Sequence, residues 1–129
     1  MKISYSKFRL HLKHTFGISR SRNDWYDIAF IYIIDGNITG RGEVAPSLRY
    51  NESIEKVLSI LNKGIKLPKN QTDRGKIWDF IKPQLYGIKS LEAAFSMALW
   101  DWWSQLNKVP LYEILNLNGE NLPLTSYTI

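Results

Sequence analysis

The chain has 129 residues, enough for one domain with its own core, and 44% hydrophobic against 22% charged residues places it among ordinary globular proteins. The absence of cysteine excludes disulfides, thiolate metal sites and cysteine nucleophiles. The net charge of +5 is spread without a block of like charges, which argues against a nucleic-acid partner. No apolar run approaches the roughly 20 residues that span a membrane, and Met1-Lys2-Ile3 leads straight into strand-like sequence, so a cytoplasmic protein is expected.

Residues 2–14 alternate as a strand does. Phe8, Leu10 and Leu12 share one parity, and Lys7, Arg9, His11 and Lys13 the other. Ile3 and Tyr5 break that order, which predicts a bulge near Ser6 or two unequal faces. Residues 15–24, TFGISRSRND, are polar and aperiodic and read as a long loop. Trp25–Ile34 is apolar on both parities and predicts a central strand covered on both faces. Asp35-Gly36-Asn37 is a hairpin turn, and Ile38–Val44 returns as a third strand whose Gly40 and Gly42 leave room on one face.

Ala45–Asn51 forms a second loop. Asn51 or Ser53 then caps a helix to about Lys63, with Ile54, Val57, Leu58 and Leu61 as its stripe and Gly64 at its end. Thr72 or Asp73 caps the next, which Pro83 kinks or ends. Ser90 is read as the cap of a long helix with Glu92 in its first turn. Ala93, Ala94 and Ala98 admit a close backbone, and Asp101 requires a partner if buried. Met97, Leu99, Trp100 and Trp103 extend the apolar surface round this helix, more than a chain of this size covers, so self-association is expected. Pro110 opens a short helix, Leu111–Leu115. Leu122–Leu124 is a connector, and Thr125–Ile129 begins another strand. Strands followed by helices predict an α+β fold: a three-stranded antiparallel meander, then a bundle of three to four helices.

Few residues present themselves for chemistry. GRGEVA, Gly40–Ala45, matches a dinucleotide fingerprint formally, but Pro46 and a loop follow it where a helix is required. His11 and His14 lie on opposite parities and cannot jointly hold a metal. Glu43, at a strand end, reads as a support for the second loop. Arg20 and Arg22 stand beside Phe16 and Ile18 in the first loop, where an arginine fork suits a carboxylate; two ordinary exposed arginines are the alternative.

Five stretches together resemble a known family: TFGISRSR (15–22), DGNITGRGEVAP (35–46), RYNES (49–53), SLEAAFSMALWDWWSQLNKVPLYEIL (90–115) and TSYTI (125–129). Their order resembles the N-terminal capping domain of the enolase superfamily, in its mandelate racemase/muconate-lactonizing branch and nearest the dipeptide epimerases. The resemblance implies a capping domain over 1–121 and, over 122–129, a connector with the start of the first strand of a (β/α) barrel. It implies an isomerase that epimerises a dipeptide α-carbon by 1,1-proton transfer through an enediolate, between two barrel lysines and beside Mg²⁺ held by three barrel acids. A barrel needs about 250 residues, so the resemblance assigns this chain no catalytic and no metal-ligating residue. It assigns substrate contact to Arg20, Phe16, Ile18, Tyr50 and Thr128. Gly17 and the second arginine, Arg22, depart from the family pattern and leave open which arginine faces the substrate. The lid of a muconate cycloisomerase or o-succinylbenzoate synthase, and a free-standing binding module without catalysis, are the other readings.

Overall fold

A computed structural model describes residues 1–18, 21–118 and 123–125, and of residues 16, 18 and 21 the backbone alone. Three strands, β1 (Lys2–Ile18), β2 (Ser21–Asp35) and β3 (Ile38–Val44), precede four helices, α1 (Ile54–Leu61), α2 (Arg74–Ile81), α3 (Lys89–Asn107) and α4 (Leu111–Ile114). The sheet is an antiparallel meander in the order β1-β2-β3, so the α+β fold expected from the sequence is the fold observed.

The helices cover one face of the sheet. On β2 that face carries Ala29, Ile31 and Ile33, all fully buried, and on β3 it carries Gly40, Gly42 and Val44. The two glycines admit α3. A Cβ on Gly42 would stand 1.9 Å from the carbonyl oxygen of Ala94, and one on Gly40 2.1 Å from that of Ala98. Of the three alanines singled out in the sequence, Ala94 and Ala98 make this approach and Ala93 is exposed. Leu91, Phe95, Leu99 and Trp102 complete the buried side of α3, with Val57, Ile77, Ile81 and Leu85 contributed by the other helical segments.

Four local expectations are corrected. Residues 15–24 are largely strand: β1 runs to Ile18 and β2 begins at Ser21, with Phe16 opposite Asn23 and Gly17 opposite Arg22. The alternation vanishes there because the ribbon extends past the end of β3 and has no helix layer to face. Pairing is regular from Lys2 to His11, so the irregularity falls between His11 and Phe16, not near Ser6. β2 is central but helices cover only one of its faces; on the other, Ile28 is buried while Phe30, Tyr32 and Ile34 are partly exposed. There the Phe8 and Phe30 rings meet edge to face at 5.5 Å. Ser90 does not cap α3. Ile88 holds the cap position, and the exposed N–H groups are taken by Glu52 from another segment.

The other caps follow the sequence. Ser53 accepts from the Lys56 N–H at the start of α1, and Asp73 from the Lys76 N–H at the start of α2. Pro83 falls in a 3₁₀ turn, Lys82–Leu85, directly after α2. Gly64 has φ of +79° just beyond α1. Leu99 is fully buried, contrary to the surplus assigned to it, whereas Met97 is 45% exposed. The strand expected over Thr125–Ile129 lies almost wholly outside the described residues. No helix among the described residues is long and apolar enough to cross a membrane.

Candidate functional site

Strand register places three features at one end of the sheet. β3 ends at Val44 opposite Ala29, while the β1–β2 ribbon continues for eight more residues to Ser21. At ~3.3 Å per residue that ribbon projects roughly 25 Å beyond β3. The chain leaves β3 at the base of this ribbon and forms the loop 45–53. Because α3 runs antiparallel to β3, its N-terminus lies at the same end, and there it meets Glu52.

The ribbon holds itself together with polar pairs. Arg9 and Asp27 stand opposite in register, and the guanidinium donates to both carboxylate oxygens at 2.8 Å from Nε and Nη2. Lys7 approaches the same carboxylate at 3.4 Å, and the Arg9 guanidinium lies 3.8 Å over the Trp25 ring. The hydrogen bonds from Arg9 hold the Asp27 carboxyl down at about 2, with Lys7 adding to the effect. Further out, the Thr15 hydroxyl donates to Asp24.

In the loop, Leu48–Tyr50 form a 3₁₀ turn capped by the Ser47 hydroxyl, which accepts from the Arg49 N–H at 3.3 Å. Tyr50 ends the turn, 67% exposed, with the Arg49 guanidinium 5.9 Å over its ring. Asn51 follows in the left-handed region at φ of +56°. Glu52 then turns inward to 6% exposure and accepts from the N–H groups of Lys89 at 2.6 Å and Ser90 at 3.2 Å. Burial opposes its charge, yet the two helix N–H groups, with Lys89 nearby, favour it, and Glu52 lies below the ordinary glutamate range.

Among the residues singled out in the sequence, Tyr50 is exposed at the surface of its loop. Arg20 and Thr128 lie outside the described residues, as do the side chains of Phe16 and Ile18, whose backbones belong to β1. Arg22 is exposed, its stem 3.8 Å from the position a Cβ on Gly17 would take. His11 and His14 are exposed on the ribbon, and Glu43 is exposed on the sheet face away from the helices. Sequence reasoning missed Glu52 and the Arg9–Asp27 pair. An acid directly before a capped helix was the signal for the first; the second needed the β1–β2 register. Among the described residues no group of three or more His, Asp or Glu could hold a metal ion.

No family model matches the sequence. The whole chain aligns at 32% identity with an L-Ala-D/L-amino acid epimerase from Maribacter and spans 39% of that protein's length. A substrate-liganded L-Ala-D/L-Glu epimerase from Bacillus subtilis superposes with a TM-score of 0.78 at 28% identity, over 89% of this chain and 33% of that one. A dipeptide epimerase from Cytophaga hutchinsonii, solved with Mg and D-Ala-L-Val, shares the fold at a TM-score of 0.80 and 22% identity, over 98% of this chain and 36% of that one.

Proposed function

We propose that this chain, which matches the N-terminal capping domain of the enolase-superfamily dipeptide epimerases, closes the substrate site of a Mg²⁺-dependent enzyme that epimerises a dipeptide α-carbon by 1,1-proton transfer. The observation that carries the reading is the alignment of the entire chain with about two fifths of an epimerase's length. The complementary part is a barrel domain, and the resemblance assigns residues 122–129 to a connector and the start of its first strand. Among the described residues no acids or histidines cluster to fit a metal ion, and the epimerase resemblance assigns Mg²⁺ to that barrel. This chain contributes binding and exclusion of water. Arg20 pairs with a carboxylate of the dipeptide, Phe16 and Ile18 furnish an apolar lid, Tyr50 closes from the second loop, and Thr128 touches substrate from the strand.

A chimera tests this. The chain replaces the corresponding N-terminal part of the Maribacter epimerase, and α-proton exchange of dipeptides is followed by NMR in heavy water. Exchange by the chimera above that of the uncapped barrel is expected, with none from this chain alone. A folded chimera no better than the uncapped barrel would overturn the proposal.

A further inference from the structure

Glu52 is the one fully inward-turned charged side chain among the described residues, and it joins two segments 37 residues apart. The loop it belongs to is closed upon itself. The Ser47 carbonyl accepts from the N–H groups of Tyr50 at 3.0 Å and Glu52 at 3.1 Å, and the Leu48 carbonyl from Asn51 at 3.0 Å. Lys56 Nζ clasps Asn51 through its carbonyl at 2.7 Å and its side-chain oxygen at 3.0 Å. These bonds give the loop its shape and, through Lys56, tie it to α1, but none joins it to α3. Its Leu48, Arg49 and Tyr50 side chains are exposed and carry no packing that would do so. α3, in contrast, is seated on Gly40 and Gly42. A carboxylate bonded to two N–H groups at the positive end of α3 therefore transfers the position of the helix to the loop.

We propose that Glu52 is a positioning residue: by tying the loop 45–53 to the N-terminus of α3, it sets where Arg49 and Tyr50 stand over a bound dipeptide. The part concerning the dipeptide rests on the capping-domain reading above; the anchoring does not. A neutral, shorter side chain removes the tie to α3, and the loop's own bonds then open more readily. Loss of Glu52 thus weakens substrate binding more than it slows turnover.

Two arms test the proposal separately. In this chain alone, Glu52→Ala is expected to speed amide hydrogen exchange at Tyr50, Asn51 and Ser90 by roughly tenfold or more, while Ile77 in α2 keeps its protection. Unchanged exchange in the loop overturns the anchoring. In the Maribacter chimera, Glu52→Ala is expected to raise KM for the dipeptide about tenfold with kcat within about twofold, and Glu52→Gln, which keeps one acceptor oxygen, falls between. Asp73→Ala is the control. It removes the cap of α2 and lowers Tm without touching the loop, so an equal rise in KM there overturns the positioning role. An inactive chimera would count against the capping-domain reading alone, and the exchange arm would still decide the anchoring.

Discussion

The backbone N–H of Arg41, on the outer edge of β3, donates to the Asp101 carboxylate on α3 at 2.8 Å. One turn further along the helix, Gln105 donates to the Thr39 carbonyl on the same edge at 2.9 Å, and to Asp101 at 2.9 Å. These two side chains occupy backbone groups that an open edge strand would offer to another strand. They also answer the requirement that Asp101, set within an apolar run, find a partner.

Asp101→Ala is expected to cost about 1–3 kcal/mol, because the Arg41 N–H loses a charged acceptor. The midpoint of urea unfolding measures it, with sedimentation as a check on edge pairing. An unchanged midpoint would mean that water replaces the carboxylate without loss.

Gly42→Ala and Gly36→Ala should differ sharply. At Gly42 the new methyl would lie 1.9 Å from the Ala94 carbonyl oxygen, so α3 must move, at about 3 kcal/mol or more. Gly36 has φ of +58° and nothing within 4 Å, which leaves only left-handed strain of about 1–2 kcal/mol. Equal losses in Tm would show that α3 yields more easily than its packing indicates.

The Arg9–Asp27 pair predicts an acid-sensitive ribbon. The folded carboxyl titrates at about 2, below the unfolded value of about 3.9. A depressed folded value means that the stabilisation is present above about pH 4 and is lost as pH falls toward 2. Asp27→Asn should therefore lower Tm near pH 7 and converge with the natural chain in strong acid. A difference in Tm that stays constant with pH would exclude the ion pair as its source.

In the Maribacter chimera, Arg20→Ala is expected to lower kcat/KM by the equivalent of about 1.5–3 kcal/mol, the loss of one charge-assisted pair. Arg22→Ala should leave it nearly unchanged. The reverse result would assign the substrate carboxylate to Arg22.

Self-association of the chain alone is expected through its uncovered apolar surfaces. Met97 is exposed on the outer side of α3, next to a Trp100 whose ring carries the Arg74 guanidinium at 3.7 Å. Phe8, Leu10 and Tyr26 are exposed on the sheet face away from the helices. Sedimentation at several concentrations should show concentration-dependent association, reduced by Met97→Lys. A monomer at every concentration, with no binding of a hydrophobic dye, would rule it out.

Local signals determined much of this molecule. The turn at Gly36, the caps at Ser53 and Asp73, the stop at Gly64 and the strand Ile38–Val44 each depend on residues within a few positions of one another, and each was legible in order. Residues 15–18 and 21–24 were not, because the ribbon there extends past the end of β3, where no third strand or helix layer sets an alternation to read. Leu99 looked surplus on a helix apolar all round, and only the packing of α3 on the sheet showed it inside while Met97 stayed out. Glu52 shows the same division most plainly. That an acid precedes a helix is written in the sequence, but the helix it caps begins 37 residues later, and only the folded chain brings the two together.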